Sequence, residues 1–484
     1  MRLRLGSGRE RPGARHRSAS ARMAMASAGA IALSALAACS SGGSGSAAST
    51  ASQAAGASST ASASSTASAS SAAGASGANC KAGATKLTFW AWAAGYNLAV
   101  NEFNATHPDI CVVLENDGAT NVEYTKIQDA EKAGSGAPDI AEMEYFVLPS
   151  FEITKSLADL VPYGVNQYKS SEVPSAWAQV SQGSAVYAMP VDVGPLAFWY
   201  NSSVLSKYGL TVPTTWAQYA ADAAKLKKAD PSATLGTVDW TDDQPVLALM
   251  QQYGAFPFKW SGGSQLTIDF TGSAESSFAS YWQQQVAAGE VGHYADFSAG
   301  QWAAWDNQTV AARFSPAWGP VGMQLSIKKT LGDWRAAPLP QVTAGQSQSG
   351  NWGGSTVAVL SSSKNQKAAA EFAEWFGGSA ASWKILSGPV AGAYPGYQPL
   401  LNDSTFLSQT LKISSSQQFQ KVFADAAKNM TAPEWPPIMN EVNTLWPTVF
   451  AGVSNGTETL TQAFQTMQSG LVKYAQAQGF TVSQ

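Results

Sequence analysis

The chain has 484 residues, 45% hydrophobic and 13% charged, with 29 basic residues against 33 acidic ones and a formal net charge of −4. Seven arginines and one glutamate precede Cys39, so the rest carries 22 basic and 32 acidic residues, a net charge of −10. An acidic surface of that kind excludes nucleic acid and anionic lipid as partners held by general electrostatics.

The first 22 residues hold the seven arginines and Glu10, and an apolar segment follows from Met23 to Ala38. A basic stretch before a short apolar one is a secretory leader. It is too short, and too rich in Ala and Ser, to be a spanning helix of about 20 apolar residues. Leu36-Ala37-Ala38-Cys39 resembles the lipobox of bacterial lipoprotein signals, which implies cleavage before Cys39 and acylation of its thiol and new amino terminus. The alternative is an ordinary secreted protein with an incidental cysteine; in both cases the mature chain works outside the cytoplasm. Residues 40–79 are Ser, Ala, Gly and Thr except for Gln53 and Asn79. Such a tract has too little apolar surface to offset the entropy of ordering. It reads as a tether with an r.m.s. span of roughly 35 Å and a full reach of about 130 Å.

The segment from Cys80 to Gln484 is too long for one ordinary core and predicts two lobes. Cys80 and Cys111 are an even pair in an oxidising compartment and read as a disulfide, with two buried free thiols as the alternative. Lys86–Trp92 is an aromatic-rich strand, followed by a helix that His107-Pro108 stops. Ile110–Leu114 is a second strand. Thr120-Asn121-Val122-Glu123 has the form of a capping box opening a helix that closes near Lys132 and Gly134. Pro138–Met143 is a third strand, and this alternation predicts a parallel sheet of βαβ units. Leu196–Tyr200, Val310–Phe314 and Ser355–Leu360 are further strands. Helical patterns cover Thr215–Lys228, opened by a second capping box at Thr215 and Gln218, then 246–252, 278–286, 368–376 and 460–474. No repeat of 20 to 50 residues is present.

Catalytic motifs are lacking. Of three histidines, His16 is in the leader, and His107 and His293 have no two-ligand spacing, which leaves no zinc site. Gly452-Val453-Ser454-Asn455-Gly456 matches a nucleophile elbow but lies between helical segments, with no histidine downstream. No phosphate-binding or dinucleotide motif appears in the folded part, so neither a cofactor nor a metal is expected. The carboxylate pairs Glu142/Glu144 and Asp242/Asp243 are all that a glycosidase reading can use.

Several of the 17 tryptophans fall where strands give way to loops: Trp90, Trp92, Trp240, Trp318, Trp352 and Trp435. Ligands of open α/β sheets gather at the carboxyl ends of strands. A sugar offers a C–H face to stack on an aromatic ring and hydroxyls for neighbouring acids; the alternative for each tryptophan singly is ordinary core.

Gly136-Ala137-Pro138-Asp139-Ile140-Ala141-Glu142-Met143-Glu144-Tyr145 with Leu157-Ala158-Asp159-Leu160 resembles the early segment of family 1 extracellular solute-binding proteins of carbohydrate ABC transporters. Tyr187–Asp192, Phe198–Asn201, Tyr208-Gly209-Leu210 and Pro213–Trp216 are similar to that family's most recognisable stretch, and Gly353-Gly354-Ser355 with Ala369–Phe372 to a late strand and helix. The resemblance implies an α/β fold of the periplasmic-binding-protein kind: two lobes, each a mixed sheet flanked by helices, closing about a hinge on a ligand. It implies that Trp90, Trp92 and Trp318 stack on sugar, that Glu144, Tyr145 and Asp192 line the cleft, that Trp240 and Asp242 come from the second lobe, and that Trp352 and Trp435 complete the binding residues. The expected organisation is a leader over 1–38, lipidated Cys39 and linker over 39–79, a first lobe from 80–191 and 344–393, and a second from 192–343 and 394–484. The expected protein is a monomer and not an enzyme. Its partners are a carbohydrate, an ABC permease, and the membrane through its lipid anchor on the extracellular face. A cell-surface glycoside hydrolase and a binding lipoprotein for a non-sugar solute such as a polyamine are the competing readings.

Overall fold

The structure is a computed structural model that describes residues 80–484. The leader, Cys39 and the linker lie outside the described residues. No described helix is long and apolar enough to cross a membrane.

Strands Thr85–Trp90 (β1), Ile110–Glu115 (β2) and Ile140–Glu144 (β3) are linked through helices Tyr96–Thr106 (α1) and Asn121–Ala133 (α2). The chain continues through Ala188–Pro190 (β4), Leu196–Asn201 (β5), Trp216–Ala229 (α3), Asp243–Gln252 (α4), Ala312–Pro316 (β6), Trp334–Ala337 (β7), Ser355–Val359 (β8) and Gln366–Gly378 (α5). The first lobe is built on a five-stranded sheet in the order β2-β1-β3-β8-β4. β1 runs parallel to β2 and β3, as alternating strands and helices require, whereas β8 is antiparallel to both β3 and β4. The expected parallel sheet is therefore mixed, because β8 enters from the second lobe instead of through a helical crossover. The second lobe holds the antiparallel sheet β6-β5-β7, a second three-stranded sheet and a two-stranded one.

Aromatic clusters fill both cores. Phe89 meets Phe372 and Phe376 edge-on in the first lobe, and Trp216 meets Trp282 and Phe314 edge-on in the second; Phe89, Phe372, Phe376 and Trp282 have no exposed surface. Burying such rings contributes about 2–3 kcal/mol each. Between the lobes, segments 191–195, 349–354 and 394–396 lie side by side. Gly194 N donates to Asn351 Oδ1 (2.7 Å), Trp352 N to Gly194 O (2.8 Å) and Val193 N to Tyr394 O (2.8 Å).

The two capping boxes differ in outcome. Thr215 accepts from Gln218 N, and Gln218 Oε1 reaches back to Thr214 N rather than to Thr215 N. At Thr120 there is no box: its backbone stands at φ 51°, its side chain caps nothing, and Glu123 is fully buried. Tertiary packing has turned that glutamate inward, away from the amide it was expected to cap. Ser454 ends the helix Met439–Ser454, so the elbow-like motif is a helix terminus followed by a turn.

Cys80 and Cys111 form a disulfide across a sequence separation of 31, Cα–Cα 5.6 Å, fastening the start of the described chain to β2. Closing such a loop removes unfolded-state entropy. Replacing both cysteines by serine is expected to lower the unfolding free energy by about 3.5 kcal/mol, measured by urea unfolding, with the midpoint lowered and the slope somewhat steeper because the released unfolded chain exposes more surface.

Candidate functional site: a cleft wall of acids and a wall of aromatic rings

The carboxyl end of β3 and the segment that follows β4 supply the acids. Glu142 and Glu144 are two apart on β3 and so share a face. Glu142 is fully buried: Oε2 accepts from Trp92 N (2.9 Å) and Ala93 N (3.0 Å), and Oε1 from Ser355 Oγ (2.9 Å). Ser355 also donates its backbone N–H to Asp192 Oδ1 (2.6 Å), so one serine on β8 bridges two carboxyls. Half-buried Glu144 accepts from the Tyr124 hydroxyl at 3.2 Å, while its own N–H donates to that oxygen at 3.0 Å. The half-buried Trp92 ring meets Tyr124 edge-on at 5.8 Å.

Desolvation dominates the protonation of this wall. Burial pushes Glu142 up to about 7 against the opposing amides of Ala93 and Trp92, and Asp192 up to about 6 against the Ser355 N–H. Glu144 is pushed to about 8 by burial, opposed by the Tyr124 hydroxyl and reinforced by Glu142, Asp243 and Asp192. Glu123, whose carboxylate oxygens find no partner among the described residues, is raised to about 9 by burial and then by Glu142 and Asp117.

The second wall is aromatic. Trp318 is half-buried; its Nε1 donates to Trp352 O (3.1 Å) and its ring meets that of Trp352 edge-on at 5.6 Å. Phe297 stacks on Trp318 at 6.0 Å and 29°. Behind them lies Arg313, 2% exposed, its guanidinium 5.5, 5.2 and 5.3 Å from the rings of Phe297, Trp305 and Trp352. The walls meet at a glycine pair. A Cβ at Gly353 would lie 3.8 Å from Glu144 Oε1 and 4.0 Å from Trp318 Nε1. At Gly354, φ is 108° and a Cβ would fall 2.5 Å from Asp192 O, so only glycine permits this approach.

Of the residues expected at a binding cleft, the structure places Glu144 and Asp192 among these acids with Trp92 beside Tyr124, and Trp318 and Trp352 among the aromatic rings. Tyr145 is buried beside them, its ring 3.0 Å from the Cβ position of Gly354 and its hydroxyl without a hydrogen-bond partner among the described residues. Trp90, 9% exposed, commits its Nε1 to Glu115 on the neighbouring strand (3.1 Å). Asp242 caps α4 by accepting from Gln244 N, and burial together with Asp243, Asp296 and Asp239 raises it. One expectation is corrected. Trp240 is 0% exposed, its ring against Trp282 and its carbonyl accepting from Trp446 Nε1, so it belongs to the second lobe's core. Trp435, 7% exposed, donates its Nε1 to Gln179 Oε1 (2.8 Å) and meets Phe146 edge-on, away from the rings of Trp318 and Trp352. Tyr124, Ser355, Phe297 and Arg313 were not singled out as site residues. For Arg313 the signal was present, since an arginine stands inside a strand buried at every position.

Among the described residues no group of three or more His, Cys, Asp or Glu is placed to hold a metal. The walls present stacking faces and hydrogen-bond acceptors, which suits a ligand with a C–H face and many hydroxyls.

The sequence profile of the family described as "Bacterial extracellular solute-binding protein" matches residues 91–382. The chain is 26% identical over 326 residues to the arabinooligosaccharide-binding protein of Bacillus subtilis, covering 63% of this chain and 73% of that protein. Its fold matches the ABC transporter associated binding protein of B. animalis subsp. lactis, solved with beta-1,6-galactobiose, at TM-score 0.72 and 26% identity, covering 83% of this chain and 100% of the other. The galacto-N-biose-/lacto-N-biose I-binding protein of Bifidobacterium longum matches at TM-score 0.72, 23% identity and the same coverage. With the profile spanning more than half of its length, the chain belongs to the bacterial extracellular solute-binding protein family.

Proposed function

We propose that this protein captures a sugar or oligosaccharide between the acid wall and the aromatic wall and delivers it to an ABC permease without changing it, while a lipid on Cys39 holds it at the outer face of the membrane. The observation that carries this reading is the meeting of Trp318 and Glu144 at Gly353, which sets a stacking face beside a hydrogen-bond acceptor. The arabinooligosaccharide and galactobiose named for the relatives make pentose and galactose oligomers the first ligands to try. The crossing segments 191–195, 349–354 and 394–396 serve as the hinge, and ligand shifts the lobes toward closure by binding that form more tightly.

Titration of such oligomers into the protein while following tryptophan fluorescence is expected to saturate at micromolar concentrations or below. Chromatography after long incubation should return the sugar intact; released monosaccharide would make the protein a hydrolase. Mass spectrometry of the amino-terminal peptide should find Cys39 acylated.

A cationic solute is the second reading, and one observation favours it. The ion pairs among the described residues are Lys81–Asp109 and Lys132–Asp129, both exposed, so the cleft acids have no basic partner within 4.0 Å. Salt separates the two, since polyamine binding weakens steeply with ionic strength and binding of a neutral sugar does not.

A further inference from the structure

Phe297 is the most exposed ring of the aromatic wall. Its ring is 49% open to solvent, and its backbone takes φ 60°, a region that L-residues other than Gly, Asn and Asp rarely enter. The backbone is pinned on both sides: Phe297 N donates to Gln301 Oε1 (2.9 Å) and its carbonyl accepts from Trp302 Nε1 (3.0 Å). What remains free to move is the ring, through its side-chain rotamers. That ring stacks against Trp318 at 6.0 Å and 29° and lies 5.5 Å from the Arg313 guanidinium.

Arg313 makes the arrangement costly as it stands. A guanidinium carries five N–H donors, yet Nε, Nη1 and Nη2 all lack a hydrogen-bond partner among the described residues. The small cavity beside it, lined by Asp239, Asp296, Gln301 and Trp352 among others, has about 10 Å³ of room for water centres. That is space for a single water, which leaves most of the donors unmet. The carboxyls of Asp296 and Asp242 act on it by charge from beyond hydrogen-bond reach, and the aromatic faces of Phe297, Trp305 and Trp352 add cation–π attraction without directed acceptors.

We propose that Phe297 is a displaceable plug: its ring fills the subsite of one sugar unit, against Trp318 and over Arg313, and swings out when a ligand arrives whose hydroxyl and ring oxygens accept from the guanidinium. This rests on the sugar reading of the cleft and adds to it a subsite, a competitor built into the chain and a buried cation that selects for oxygen acceptors. Binding then competes with a closed form, and the apparent affinity is the intrinsic one reduced by the fraction of molecules with the ring displaced.

The test is calorimetric titration of the full chain with an arabinooligosaccharide and with beta-1,6-galactobiose, comparing wild type, Phe297→Ala and Arg313→Lys. Phe297→Ala is expected to bind about fivefold more tightly than wild type, the competing ring having been removed. Arg313→Lys, which keeps the charge but loses the fork, is expected to bind at least roughly tenfold more weakly. A Phe297→Ala protein that binds as wild type does, or more weakly, overturns the plug while leaving the sugar reading intact. If neither sugar binds to wild type or to Phe297→Ala, the plug and the sugar reading fall together. Should Arg313→Lys fail to fold, Phe297→Ala decides alone, since its side chain is half exposed and its removal opens no core cavity.

Discussion

Replacing Trp318 by alanine is expected to lower oligosaccharide affinity by roughly 100-fold while moving the melting midpoint by no more than about 3 °C. The indole is half-buried at the meeting of the two walls, so its truncation removes a stacking face from the ligand and little from either core. It also frees the carbonyl of Trp352, which now accepts from Trp318 Nε1, and lets the second ring of the platform drift. A Trp at the centre of a desolvated contact commonly carries 2 kcal/mol or more of binding free energy. The matching substitution at Trp240 is the control. That ring is wholly buried against Trp282, and its removal is expected to cost about 3–5 kcal/mol of stability with affinity unchanged in the protein that remains folded. Calorimetric titration and thermal melts on the two variants give opposite patterns if the assignment is right. Equal affinity for wild type and Trp318→Ala would remove Trp318 from the site.

The contrast between Trp318 and Trp240 shows how far the amino-acid sequence can be read. Both follow short strands, and neither the alternation before them nor their place after a strand says which is covered. The difference arises when helices Ser273–Ala287 and Met439–Ser454 close over Trp240 from distant parts of the chain, bringing Trp282 and Trp446 against it. Strands and helices were legible because period and punctuation are local: β1 to β3, α1 to α3 and β8 lie where alternation, His107-Pro108 and the Thr215 cap put them. The family resemblance added the two-lobed arrangement, which periodicity alone does not contain. Thr120 and Glu123 mark the limit of local reasoning, since the same four-residue pattern that caps α3 leaves a buried carboxyl at the start of α2. Phe297 sits in a loop with no periodicity, and its importance comes from neighbours 16 to 55 residues away.

The acid wall makes the protein more stable in mild acid than at neutral or alkaline pH. Asp192, Glu142 and Glu144 ionise in the folded state near 6, 7 and 8, against ordinary values of 3.8, 4.5 and 4.5. Each raised group is protonated in the fold while the unfolded chain has already given up its proton, so the unfolded state binds fewer protons and stability falls as pH rises. The contribution is fully present below the unfolded values, and is lost through 6 for Asp192, 7 for Glu142 and 8 for Glu144. Buried Glu123, raised to about 9, and Asp243, raised to about 6, act in the same direction. Glu144, facing Glu142, Asp243 and Asp192, by itself carries a loss on the order of 4 kcal/mol between pH 5 and 8.5, and the other raised carboxyls add to it in the same direction. Melting midpoints measured across that range are expected to decline steadily. Glu144→Gln keeps a group that can accept from Tyr124 but cannot ionise, and is expected to flatten the segment between pH 7 and 8 and to raise the midpoint at pH 8.5. A midpoint that climbs from pH 5 to 8.5 would mean that these carboxyls are ionised and hydrogen-bonded in the fold. A sugar whose hydroxyls donate to ionised Glu144 and Asp192 would oppose the decline, since it favours the charged form. Its binding near pH 7 should therefore release protons, a quantity that titration in buffers of different ionisation enthalpy measures directly.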